Sequence, residues 1–142
     1  MTRKELKRWL KQYSALKTQL EGLRACIKAV EEDKNEAQYH SPQLDGLPRS
    51  KCIADPTAEL VVRYEQRIAA YAARCEELIA RMDAIETALE LVKPEAANLL
   101  RRYYLLGQDW ETISKEVSRS LPGCYKLARE ALDELVKVYS KL

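Results

Sequence analysis

At 142 residues, with 46% apolar and 32% charged side chains, the chain suits one domain or a small domain plus an extended element, and it is too apolar for a disordered polymer. Only four Gly and five Pro stand among abundant Ala, Leu, Glu, Lys and Arg, a mixture that favours long helices. The net charge of +2 excludes a general polycation, although residues 1–20 carry six basic groups against Glu5 alone and residues 119–129 carry three with no acid.

The opening MTRKELKRWLKQYSAL is charged throughout, which predicts no signal peptide, and no apolar run approaches the roughly 20 residues that span a bilayer. From there Leu6, Trp9, Tyr13, Leu16, Leu20, Leu23, Ile27 and Val30 alternate spacings of three and four. That heptad seam predicts one long helix over about 2–33.

The pattern stops in EDKNEAQYHSPQLDGLPRSKCIADPT, where Pro42, Gly46, Pro48 and Pro56 predict a long loop at about 34–56. His40, the single histidine, falls in it as a solvated loop residue. Asp55 or Thr57 can cap a second helix, whose seam is Tyr64, Ile68, Tyr71, Cys75, Leu78, Met82, Ile85, Leu89 and Val92, and Pro94 marks its end. Val61, Ile79 and Leu91 lie off the strict seam. Two long helices with a loop between them predict an antiparallel coiled-coil hairpin over 1–93, with a parallel homodimer through either seam of the long helices as the rival arrangement.

Cys26, Cys52, Cys75 and Cys124 are far apart and form no CxxC pair, so with one His they predict no metal site. The three helical ones, Cys26, Cys75 and Cys124, fall on apolar faces as small reduced hydrophobes, which suits a reducing cytoplasm. No carboxylate pairs with a His, no nucleophile with a base, and no glycine-rich loop precedes a helix. The expectation is a protein that is not an enzyme and holds no cofactor.

Residues 94–142 change character. EAANLLRRYYLLG reads as a helix with Pro94 in its first turn and Gly107 just past its end. Asp109 is placed to cap a short helix in which Ile113 and Val117 point to a core and Ser114 permits a close crossing. Residues 118–120 break the pattern, and Ser120 can cap a last helix with Cys124, Leu127, Ala128, Ala131, Leu132, Leu135 and Val138 or Tyr139 inward. A short helix, a tight break and a longer helix are what a helix-turn-helix requires. The outer face of the last helix shows Leu121, Pro122, Tyr125, Lys126 and Arg129.

The stretch YYLLGQDWETISKEVSRSLPGCYKLAREALDEL resembles the region-4 helix-turn-helix of bacterial sigma-70 factors. Nearly the whole chain resembles phage-encoded, sigma-region-4-like late-transcription regulators of the ArpU and RinA type, most specifically in Asp45-Gly46-Leu47-Pro48 and in RRYYLLGQDWETIS. The resemblance implies an all-α fold, a helical hairpin followed by a three-helix DNA-binding domain. It also implies sequence-specific binding of double-stranded DNA at phage or prophage promoters in the cytoplasm and nucleoid of a bacterial host, with RNA polymerase as a further partner. By position, Arg119, Ser120, Leu121, Pro122, Tyr125, Lys126 and Arg129 face DNA. Arg101, Arg102 and the basic N-terminal helix are secondary candidates for phosphate binding, with a plain solvated face as the alternative for each. Leu121, Pro122 and Gly123 offer no side-chain hydrogen bond to a base, which leaves Lys126 and Arg129 to read base edges. The alternative from another class is a helical interaction protein, or a phage DNA-packaging or assembly factor, whose helix-turn-helix does not read DNA.

Overall fold

The computed structural model describes residues 1–39 and 56–141, and every regular element among them is helical. Helix α1 spans Arg3–Tyr39, α2 Pro56–Leu89, α3 Pro94–Leu100, α4 Trp110–Val117 and α5 Leu121–Ser140. One π-turn, Arg101–Leu105, continues α3. His40, Cys52, Asp55 and the rest of residues 40–55 lie outside the described residues.

Two boundaries, the ends of α1 and α2, differ from the expectation. α1 continues through residues 34–39, because KNEAQY contains neither Gly nor Pro and is rich in good helix formers. α2 begins on Pro56, whose missing N–H costs nothing in a first turn; of the two candidate caps, Thr57 lies inside the helix and Asp55 lies outside the described residues. At its far end α2 stops at Leu89, ahead of Pro94. There Glu90 N–H reaches the carbonyls of Glu86 and Thr87, both at 3.2 Å, and Leu91 N–H that of Ala88 at 3.1 Å. The last turn thus tightens, and Lys93 is extended (φ −56°, ψ 142°) as a residue before proline prefers.

The chain divides into two compact units, Gln19–Glu77 and the combination of Met1–Thr18 with Leu78–Leu142. In the first, Leu20, Val30 and Cys75 are buried and Leu23, Ile27, Tyr64, Ile68 and Tyr71 half-buried, as the two seams require. Lys34 Nζ lies 3.7 Å from Glu65 Oε1 at the rim of that seam. Cys26, expected on an apolar face, is exposed, since it stands one residue off the seam position of Ile27.

The second unit holds the larger core. Leu6, Leu10, Ile85, Leu89, Leu99, Leu100, Ile113, Cys124 and Leu135 are all below 2% exposed. Burying a leucine or isoleucine fully contributes about 1.5–3 kcal/mol, so these residues carry much of the unit's stability. Leu10 is off the heptad seam. It is buried because the first turns of α1 touch α5 as well as α2: Trp9 meets Tyr139 edge-on at 5.7 Å, and Tyr13 Oη donates to Glu86 Oε1 at 3.4 Å. Burial, with the Glu86 charge behind it, raises the Tyr13 phenol above its ordinary pKa.

The π-turn replaces what reads in sequence as plain α-helix. Leu106 N–H bonds Arg101 O at 3.0 Å, a five-residue step, and Gly107 then takes φ +72°, a left-handed conformation open to glycine at little cost. Tyr104 and Leu105 within this turn are both buried, as are Leu99 and Leu100 just before it. α5 packs on α3 and α4, and α4 also touches the π-turn.

Candidate functional site

The α4 to α5 segment is built from local side-chain hooks. Asp109 caps α4, its Oδ1 accepting from Thr112 N–H at 2.7 Å. Hydrogen bonds from the Thr112 side chain, then its backbone, hold the Asp109 carboxyl below the usual carboxylate range. Ser120 caps α5, its Oγ accepting from Gly123 N–H at 3.2 Å. A Cβ on residue 123 would stand 3.0 Å from that Oγ, which accounts for a glycine in a first helical turn.

Ser114 does more than allow a close crossing. Its hydroxyl donates to Arg119 O at 2.5 Å while its carbonyl accepts from Arg119 N–H at 3.1 Å, clasping the turn from both sides. Between them Ser118 takes φ +55°, ψ +44°, a left-handed conformation uncommon outside glycine. Beneath the turn, Leu99, Ile113 and Cys124 form a closed cluster, with Val117 and Leu127 packed against it.

An aromatic group covers one side. Trp110 stacks on Tyr103 at 4.6 Å and 19°, Tyr103 meets Tyr104 edge-on at 4.8 Å, and Tyr125 meets Trp110 edge-on at 5.5 Å. Each such pair adds about 0.5–1.5 kcal/mol beyond area burial. Tyr104 is buried, which together with the neighbouring Tyr103 pushes its phenol up to about 12.

The expected site residues fall into two groups. Pro122, Tyr125, Lys126 and Arg129 are exposed on one face of α5, Tyr125 at 46%, and line a single shallow surface. Leu121 is half-buried beside them. Of the two acids bordering that surface, Asp133 is bonded by Arg3 Nε at 2.9 Å and Glu130 is unpaired. Arg119 is held instead by Glu95, at 2.6 Å. Ser120 is engaged as a cap.

Two of the secondary candidates, Arg101 and Arg102, are likewise occupied. Arg101 Nε lies 3.2 Å from Glu86 Oε2, and Arg102 is paired with Glu116. Among the described residues, no hydrogen bond or ion pair holds Lys7, Lys11, Lys126 or Arg129. Glu86, Glu95 and Glu116, the acids that take up these arginines, went unnoticed in sequence, since each lies 14 to 24 residues from its partner. Among the described residues no three metal-ligating side chains converge, and no helix is long and apolar enough to cross a membrane.

The chain matches no family model, no curated protein and no solved structure.

Proposed function

We propose that the chain is a sequence-specific DNA-binding transcriptional regulator of phage or prophage late genes, with α4 and α5 as a helix-turn-helix and α5 entering the major groove. The observation that carries this reading is the exposed, unpaired Lys126 and Arg129 beside Tyr125 on the front of a helix with no acid in its first turn. Charges tied up in ion pairs are poor phosphate ligands, so these free cations give a duplex the most to gain. Lys126 and Arg129 hydrogen-bond base edges or the phosphates flanking them, Ser120 starts the reading helix, and Leu121 and Pro122 make apolar contact. Arg119 acts as a clamp on the turn.

The same reading makes the long helices an antiparallel hairpin. Pairing of Tyr13 with Glu86 in one unit, and of Lys34 with Glu65 in the other, favours it: residue numbers fall on α1 as they rise on α2. That hairpin carries the DNA reader to a protein partner, bacterial RNA polymerase or a second copy of the chain. A second reading, a helical interaction or DNA-packaging factor, draws on the Leu121, Pro122 and Gly123 front, which presents no hydrogen-bonding side chain.

Fluorescence anisotropy with promoter fragments of the source genome separates the two. A DNA reader binds selected fragments with affinity that falls steeply as salt rises, and K126E/R129E abolishes binding while helicity by circular dichroism is unchanged. If the wild-type protein retains no fragment at low salt, the interaction-protein reading replaces this one.

A further inference from the structure

Beside the α5 face lies a cleft of about 350 Å³ whose lining includes Lys7 and Lys11 of α1, Tyr103, Trp110, and Tyr125 and Arg129 of α5. Arg3 also borders it, and no acidic side chain does. Arg3, Lys7 and Lys11 recur every four residues, so they form one stripe along α1, with Lys7 and Lys11 about 6 Å apart along the axis. The stripe is rigidly presented: Leu6 and Leu10 beneath it are 0% exposed, Trp9 is seated on Tyr139, and Arg3 is bonded to Asp133.

Tyr125 and Arg129 line both this cleft and the shallow surface that carries Lys126 and Pro122, so the two are continuous. We infer that the first turns of α1 are the second half of the nucleic-acid footprint: the cleft takes the sugar–phosphate strand flanking the groove that α5 enters, with Lys7 and Lys11 on its phosphates. This rests on the DNA-binding reading above. The occupant is argued from charge and form. Three unpaired cations and no anion border a cleft open along one side, and a helix-borne stripe of regularly spaced charges suits a polymer with regularly spaced phosphates better than a single small anion. Arg3 serves differently. By taking up Asp133, one turn beyond Arg129, it removes a carboxylate from the path of the strand.

The test compares salt dependence on a cognate and an unrelated duplex, by anisotropy, for the wild type, K7A/K11A and K7R/K11R. Each phosphate contact contributes about 0.9 to the slope of log K against log salt. K7A/K11A is expected to flatten the slope by about 1.8 and to weaken binding equally on cognate and unrelated duplexes, while K7R/K11R keeps the wild-type slope. A wild-type protein that binds duplex and a K7A/K11A variant of unchanged slope and helicity overturn the α1 footprint alone and leave α5 as the reader. A wild-type protein that binds no duplex overturns both readings together.

Discussion

Arg119 Nη2 donates to Glu95 Oε2 at 2.6 Å, so the turn between α4 and α5 is tied to the first turn of α3. Both side chains remain largely exposed, which limits the pair to under about 1 kcal/mol of stability. Under the proposed DNA-binding function its weight falls on binding, because the ion pair withholds a guanidinium that stands next to the start of α5. Glu95→Gln is expected to leave the thermal midpoint nearly unchanged and to steepen the salt dependence of duplex binding by up to about 0.9, as one more cation becomes available to phosphate. An unchanged slope in the same titration places Arg119 away from the strand.

The turn carries a strained residue. A left-handed conformation costs an ordinary residue about 1–2 kcal/mol, and Ser118 adopts it with φ +55°. Ser118→Gly should therefore stabilise the protein, by roughly 0.5–1 kcal/mol once the added freedom of the unfolded glycine is counted. Gly107→Ala should destabilise by about 1 kcal/mol, because its φ of +72° is lost to the new side chain while no neighbour blocks the space. Urea unfolding measures both, and a Ser118→Gly variant with a lower midpoint would show that the serine is needed for a contact.

Acid should act on the α4 cap. The folded-state pKa of Asp109 is depressed, so its contribution to stability is fully present above the ordinary carboxylate range and fades as the pH falls through and below about 4. Asp109→Asn keeps a capping oxygen without the titration. Its urea midpoint should drop less between pH 5 and pH 3 than the wild type's, and parallel curves would mean that other carboxylates dominate.

Ile113, fully buried against Leu99 and Cys124, is the keystone of the small cluster under the turn. Ile113→Ala is expected to cost about 2–5 kcal/mol by urea unfolding, the range for a large aliphatic residue cut back in a closed site. A loss under 1 kcal/mol would mean that α4 settles into the gap.

The helical seams were legible because burial follows a period. Every seam residue from Leu6 to Val30 and from Tyr64 to Val92 is at least half-buried. The caps Asp109 and Ser120 and the stop at Gly107 were equally legible, since each is a local hydrogen bond or dihedral written in adjacent residues. What sequence could not supply was charge pairing at a distance. Arg101, Arg102 and Arg119 read as available cations until Glu86, Glu116 and Glu95 were found beside them. The basic cleft was half legible: the four-residue spacing of Arg3, Lys7 and Lys11 is plain, but nothing local announces that it faces Tyr125 and Arg129.

The π-turn at Arg101–Leu105 makes this part of the chain more sensitive to length than to identity. A π-turn closes over one more residue than an α-turn, so losing one there would return the segment to ordinary α-helix and remove the bulge that sets Tyr103 against Trp110. In this segment the extra residue acts as a spacer, and a one-residue deletion beside Tyr103 would undo the aromatic stack without altering either ring.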